Sequence, residues 1–212
     1  MKIVRKSLSV LFIVLFAISM AGCFAKNDVP SSIVKAAKGY GIEEVASRTD
    51  LIKISAKLTS EGAGYYRAKD TEEATKYYQS YFNARKKLPD IDADDFIAVS
   101  VKEKGNAVIH VSSVYSVTLK SKEDAKEVFD KLSEIAMSSL RILGKDKGEK
   151  SKYSYAIAYE KNTVSTTVIG IYLEGKSVTY LQAYSYKNEL NAFALYFCGK
   201  MGYISPIELV ED

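Results

Sequence analysis

A short acidic stretch is the first place where the spacing of residue types suggests chemistry. Asp90, Asp92 and Asp94 alternate along the chain and match the first three ligand positions of a calcium-binding EF-hand loop. The sixth position of such a loop requires glycine and is Asp95 here, while the twelfth requires a bidentate glutamate and is Val101. We therefore expect a solvated acidic loop and keep the three carboxylates only as a weak calcium candidate.

The chain has one histidine, His110, in an alternating apolar stretch typical of a strand. A single histidine without a cysteine cluster cannot supply the ligand set of a zinc or copper site. The sequence has no Gly-x-Ser-x-Gly nucleophile motif and no glycine-rich phosphate loop, and no serine or cysteine pairs recognisably with the histidine. We therefore predict no cofactor, no metal centre at His110 and no catalytic residues.

Two rows of tyrosine are the remaining candidates for binding. Tyr153, Tyr155 and Tyr159 alternate along one predicted strand, and Tyr180, Tyr184 and Tyr186 alternate along another, with Gln182 between them. If the rows share a face of the sheet, Tyr153, Tyr155, Tyr180 and Tyr184 form an aromatic platform able to stack on a glycan or a peptide. The alternative, which we favour, is that both rows pack against the last predicted helix.

The amino-terminal segment predicts where the protein resides. Its first six residues carry three positive charges, and an apolar run of about 11 residues follows, which is shorter than the roughly 20 that cross a bilayer. Small residues then precede Cys23, as in a cleaved secretory signal. The residues Met20-Ala21-Gly22-Cys23 resemble the lipobox of bacterial lipoproteins, with methionine where leucine is usual.

That resemblance implies that residues 1–22 are removed and that the Cys23 thiol receives a diacylglycerol group. Two acyl chains suffice for stable attachment, so the first partner is the membrane, at its extracytoplasmic face. Two alternatives stay open, an ordinary secreted protein and an uncleaved signal anchor. Residues 23–30 then form a lipidated tether of about 25 Å at full extension, and residues 31–212 form a single domain.

Removal of the signal changes the charge of the protein. The formal net charge falls from +4 to +1, because the signal contains three basic residues and no acidic residue. A nucleic-acid-binding domain shows a basic patch or a high pI, so we expect no nucleic-acid partner. Cys198 is the other cysteine, and with Cys23 lipidated it has no partner for a disulfide. Its apolar helical context predicts a buried structural thiol.

The hydrophobic pattern predicts an α+β domain. Predicted helices cover residues 33–38, 49–58, 70–88, 121–138 and 188–200, and predicted strands cover 65–69, 96–104, 107–120, 153–161, 164–174 and 177–186. The central order matches the ferredoxin-like βαββαβ core, extended by C-terminal strands and a helix. We expect an antiparallel or mixed sheet of about six strands with helices mainly on one face.

Two strand-to-helix junctions resemble each other. Residues 69–74 align with residues 120–125, and each segment places a capping residue before an acidic first helical turn. The alignment indicates either an internal structural repeat or the general similarity of capped junctions, and both interpretations stay open.

These observations favour a membrane-anchored extracytoplasmic lipoprotein that acts as a non-catalytic binding or protein-interaction module, with a protein or a glycan as partner. The first alternative is an envelope hydrolase acting on glycan or peptide. It would need two carboxylates in an exposed pocket, or an acid beside His110. The second alternative is an assembly or structural partner of a membrane protein, which the short tether favours.

Overall fold

The computed structural model describes residues 28–56, 60–68, 70–82, 87–105, 109–138, 142–186 and 189–210. The signal segment and Cys23 lie outside these ranges, as does part of the hairpin predicted at Gly105-Asn106. Within the described ranges, no helix combines the length and the apolar composition needed to cross a membrane.

The described chain forms seven strands and five α-helices. The helices are α1 (Val29–Gly39), α2 (Arg48–Ala56), α3 (Thr71–Tyr81), α4 (Lys122–Met137) and α5 (Ala192–Met201), with a 3-10 helix at Pro206–Val210. The strands are β1 (Gly62–Arg67), β2 (Ala93–Lys104), β3 (Ile109–Leu119), β4 (Ile142–Glu149), β5 (Ser154–Lys161), β6 (Ser165–Glu174) and β7 (Ser177–Tyr186).

All seven strands belong to one antiparallel sheet in the order β1-β2-β3-β7-β6-β5-β4. Strands β5, β6 and β7 form the expected meander. Helix α4 carries the chain from β3, in the middle of the sheet, to β4 at the far edge.

The sheet is covered on both faces. The front face carries Val99 and Leu181 and packs against α1, α5 and the 3-10 helix. The back face carries Ala98 and Ile171 and packs against α2, α3 and α4. Coverage of both faces explains why the central part of β2 is buried without interruption and does not alternate.

Four details of the fold prediction need correction. The sheet has seven strands and not six, and helices cover both of its faces. The ferredoxin-like core is not confirmed, because a split βαβ unit needs a strand between the two strands that its helix joins, whereas β1 and β2 are direct antiparallel neighbours. Helix α1 begins at Val29, four residues before the predicted helix, with Asp28 as its cap.

The two junctions that resemble each other in sequence share their local geometry. Asp70 accepts a hydrogen bond from the Glu73 amide, and Ser121 accepts one from the Asp124 amide, so each caps its helix in the same way. The next strand differs, because α3 leads to the neighbour of β1 while α4 leads to the opposite edge of the sheet. The similarity therefore ends with the helices.

The edge strand β4 is not predicted by the hydrophobic pattern and depends on tyrosines of β5. Gly144 pairs with Tyr159, and Gly148 pairs with Tyr155. In both pairs the ring lies so close to the glycine that an added methyl group would overlap it. Rings that cover glycines across a strand pair stabilise sheet edges. The tyrosines of β5 therefore hold an edge strand whose own residues have little preference for a sheet.

Candidate functional site

A cavity of about 170 Å³ lies on the front face, where α5 begins. Its polar lining residues are Lys161, Thr166, Ser185, Glu189 and Asn191, and its apolar lining residues are Val168, Leu190, Ile207 and Val210. Lys161 and Leu190 are exposed and mark its mouth. The cavity combines a polar floor and an apolar wall, as binding sites for small molecules generally do.

The floor belongs to a polar row that crosses five neighbouring strands. Glu103 pairs with His110, Ser185 pairs with Thr166, and Thr166 pairs with Lys161. The pairing of Val111 with Tyr184 places His110 level with Ser185, which completes the row. Antiparallel pairing directs all five side chains to the same face. His110, Ser185 and Thr166 are at most 7% exposed, so this polar surface is largely buried.

Glu189 lies beside His110 at the cavity. Its Oε2 is 2.8 Å from His110 Nε2, and the two side chains are 17% and 8% exposed. The distance is that of an ion pair, but the angles do not make a hydrogen bond, and Nε2 is buried without one. A carboxylate this close dominates the electrostatic surroundings of the ring nitrogen whatever the angle.

Asn191 fixes the side of the cavity where α5 begins. Its Oδ1 accepts hydrogen bonds from the Ser112 hydroxyl at 2.8 Å and from the Ala194 amide at 2.9 Å. Its Nδ2 donates to the Tyr184 carbonyl at 3.3 Å. One side chain therefore caps α5, joins it to β3 and β7, and has both polar atoms satisfied. The cavity is held in shape before any ligand arrives.

The residue that follows helix α1, Tyr40, contacts the polar row at its β2 end. The Tyr40 hydroxyl donates a short hydrogen bond to Glu103, and its ring packs edge-on against Phe193 of α5 with centroids 5.2 Å apart. Burial and the neighbouring carboxylate both raise the pKa of Tyr40, so the hydroxyl stays protonated and remains a donor.

The structure separates the two rows of tyrosine. Tyr155 is level with Tyr172 and Thr179 on the front face, whereas Tyr180 is level with Ile171 on the back face. The four tyrosines therefore do not share a face and do not form one platform. Because a residue and its neighbour along a strand point to opposite sides, this follows from the register alone.

Tyr153 and Tyr155 are part of the packing on the front face. The Tyr153 hydroxyl accepts a hydrogen bond from the Ile204 amide at 2.9 Å, and its ring lies 5.0 Å from that of Tyr203. The Tyr155 hydroxyl donates to Asp146 at 2.9 Å, and this bond, with burial, raises the pKa of the phenol. Both tyrosines join β5 to β4 and to residues 203–204, whereas the favoured alternative placed them against the last predicted helix.

Tyr180 and Tyr184 lie on the back face, not beneath α5. Tyr180 pairs with Tyr115, and burial raises the pKa of Tyr180 to about 12. Tyr184 is half-buried, and Gln182 between them is exposed. This half of the proposed platform is partly open to solvent, but its aromatic surface is interrupted by the glutamine.

The acidic stretch is distributed over separate contacts. Asp92 forms an ion pair with Lys120 at 2.6 Å, Asp90 accepts a hydrogen bond from Gln79, and Asp94 is exposed on β2. In the ranges that the structure describes, no three acidic, histidine or cysteine side chains gather in a way that could hold a metal ion. The three carboxylates are therefore not brought together as calcium ligands.

Cys198 is 1% exposed and forms no disulfide. Its Sγ lies 3.6 Å from the Tyr172 hydroxyl, which itself donates to the Ile204 carbonyl at 2.8 Å. Burial raises the pKa of the thiol to about 12, so it is neutral at physiological pH. The prediction of a buried structural thiol agrees with this geometry.

Comparisons with known proteins add no function. No protein-family model matches the chain, and no curated protein matches it. The chain is similar to a solved structure, the extracellular domain of PknH from Mycobacterium tuberculosis, with 8% identity over 79% of this chain and 93% of that one and a TM-score of 0.41. A similarity of this size supports no conclusion about function.

Most residues of the cavity were not predicted from the sequence. His110 stands out in the sequence as the one histidine, but no local motif marks Glu189, Ser185, Thr166 or Lys161. Asn191 did offer a signal, since asparagine directly before an apolar helix is a good cap. The other residues meet only through the strand order β3-β7-β6-β5.

Proposed function

We propose that the protein is a lipid-anchored extracytoplasmic module that binds a small molecule without transforming it. The observation that carries this proposal is the cavity on the front face, with buried Thr166 and Ser185 in its floor and Asn191 fixed above it. A preformed cavity with few polar groups and an apolar wall favours binding, because the protein needs little rearrangement to accept a ligand.

The first described residues lie at the opposite end of the sheet from the cavity. The hydrogen bond with Ser31, together with the charge of Arg67 at the end of β1, lowers the pKa of Asp28. The described domain thus begins near Arg67, which pairs with Ile97 of β2. The polar row crosses the same strand at Glu103. Six residues of β2 separate the two levels by about 20 Å.

The tether is short, since five residues lead from Cys23 to Asp28 and span at most about 18 Å. Such a tether favours an orientation in which the entry of the chain faces the bilayer. In that orientation the cavity is displaced away from the membrane and stays accessible to a ligand in the envelope.

Two measurements test the proposal. Mass spectrometry of the mature protein should find a diacylated Cys23 at the amino terminus, and an unmodified Cys23 would contradict the anchor. Native mass spectrometry of protein extracted from membranes should find a bound small molecule. Ser185→Leu should abolish this adduct by filling the cavity, and Gln182→Leu, on the same strand but the back face, should retain it. An adduct that survives Ser185→Leu would contradict the assigned site.

An envelope hydrolase is the second candidate, because Glu189 provides the acid beside His110 that this function requires. It has weaker support for two reasons. His110 Nε2 is inaccessible and faces the carboxylate, and the nearby Ser112 hydroxyl donates to Asn191. Hydrolysis of an envelope peptide or glycan that disappears in His110→Ala and persists in Gln182→Leu would favour this candidate over simple binding.

A further inference from the structure

We infer that the cavity binds a free amino acid with an aliphatic side chain. This inference rests on the proposed function and specifies its ligand. It depends on three properties of the cavity, namely its volume, the placement of its charges and the division between its floor and wall.

The volume limits the ligand to a few heavy atoms. A site for a drug-sized molecule or a cofactor usually measures roughly 300–1,000 Å³. The cavity of about 170 Å³ is smaller than this range. A nucleotide or an oligosaccharide would have to project far outside it, whereas a single amino acid can be enclosed.

Two opposite charges flank the cavity. Among the described lining residues, the ammonium of Lys161 and the carboxylate of Glu189 are the ionised groups. Lys161 ends β5, while Glu189 lies against His110 of β3, and β6 and β7 run between these strands. Three strand spacings correspond to about 14 Å between the two backbones. The two ends of the cavity therefore carry opposite charges, as the two ends of a small zwitterion do.

Each charged group of an amino acid would lie next to a residue of opposite charge. The ligand carboxylate would face Lys161 and the ligand ammonium would face Glu189, which also contacts His110. A ligand with one charge would place that charge near a like charge at one end of the cavity, and such mismatches reduce affinity. The pairing of charges therefore selects for a zwitterion over a simple acid or amine.

The floor and the wall divide the remaining contacts. The Thr166 and Ser185 hydroxyls lie between the charged groups and can donate to or accept from the ligand's polar atoms. Val168 lies beside Thr166 on the same face of β6, and with Ile207 and Val210 it provides the apolar part of the lining. An aliphatic side chain would bury its surface there, whereas a sugar would place hydroxyls against it without hydrogen-bond partners.

The experiment uses the mature, detergent-solubilised protein with L-leucine as the probe. Calorimetric titration should detect binding of L-leucine. N-acetyl-L-leucine amide, which has the same side chain without either charge, should bind at least about tenfold more weakly, because each lost charge pair weakens binding. Equal binding of the two compounds would overturn the inference.

Charge variants provide a second readout. Lys161→Met and Glu189→Gln should each weaken binding of L-leucine by about tenfold, while Lys53→Met, an exposed lysine on α2, should leave it unchanged. Glu189→Gln changes a residue that contacts His110 and could therefore disturb folding. Lys161 is exposed at the end of a strand, so Lys161→Met should fold normally. Unchanged affinity in Lys161→Met would overturn the inference.

Failure of this inference can be distinguished from failure of the proposed function. If no amino acid binds but extracted protein carries another small molecule that Ser185→Leu removes, the ligand class is wrong and the binding function stands. If wild-type protein carries no adduct and binds no amino acid, both are contradicted.

Discussion

Ser112 on β3 donates a buried hydrogen bond to Asn191 at the start of α5, over 2.8 Å and across 79 residues of sequence. The same Asn191 oxygen accepts from the Ala194 amide and so caps the helix. A helix cap is usually a local and exposed device, as at Asp70. Here the cap is also a tertiary contact, and it forms one side of the cavity.

Asn191→Ala should therefore cost more than an ordinary cap. Loss of a cap costs about 1 kcal/mol, and a buried hydroxyl left without its acceptor costs about 1–3 kcal/mol more. We expect the free energy of unfolding to fall by about 3 kcal/mol in urea denaturation. Asp70→Ala, the matched cap on α3, should lose about 1 kcal/mol. Equal losses in the two variants would show that the Ser112 bond contributes nothing.

The thiol of Cys198 should be inert in the folded protein. Burial raises the pKa of the thiol to about 12, so at pH 8 almost no thiolate is present to react. Titration of mature protein with a thiol reagent should find no reactive group under native conditions and one in denaturant. Rapid reaction of one group before unfolding, with a second appearing in denaturant, would instead reveal an unmodified Cys23.

Much of the fold could be predicted from the sequence, because the patterns that define it are local. The alternation in β5, β6 and β7 and the caps at Asp70 and Ser121 each involve neighbouring residues. Strand β4 could not be predicted, since Gly144 and Gly148 oppose strand formation and the compensating rings come from β5. Coverage of both faces depends on the route of α4 and on where α1 and α5 pack, which no local pattern specifies.

The candidate site was harder to predict than the fold. The sequence identified His110 as unusual, but its acidic neighbour Glu189 follows β7, which lies beside β3 only in the finished sheet. The tyrosines are the more visible signal in the sequence, but the favoured interpretation of both rows is packing, and the register places the two rows on opposite faces. A site built from single residues of several strands leaves no motif in the sequence.

Asp130 should make the contact between α4 and β4 depend on pH. Hydrogen bonds from Lys126 of the same helix and Lys147 of β4 lower the pKa of Asp130. A carboxyl whose pKa is lowered by folding stabilises the folded state above its unfolded pKa of about 3.9, and this contribution is lost as the pH falls through the lower folded value. The pairs are exposed, so the contribution should be below about 1 kcal/mol.

Asp130→Asn should remove this dependence. We expect the variant to be slightly less stable than wild type at pH 7 and equal to it near pH 2, as measured by urea denaturation across that range. Lys126→Met removes one of the two cations and should give a smaller difference of the same sign. A difference that stays constant with pH would mean that the carboxyl charge has no role.

The contact between Gly144 and Tyr159 should decide whether β4 stays attached to the sheet. Gly144→Ala adds a methyl group where the Tyr159 ring lies, and the overlap should cost about 1–3 kcal/mol locally. Hydrogen exchange of the β4 amides should accelerate by about tenfold or more, while the amides of β2 and β3 keep their protection.

Tyr159→Ala should also accelerate exchange in β4, because it uncovers the glycine. In the double variant the added methyl group no longer meets a ring, and alanine is favoured over glycine in a strand by about 0.5–1 kcal/mol. Gly144→Ala should therefore be neutral or protective in the Tyr159→Ala background, and simple additivity of the two effects would show that the added methyl group does not meet the ring.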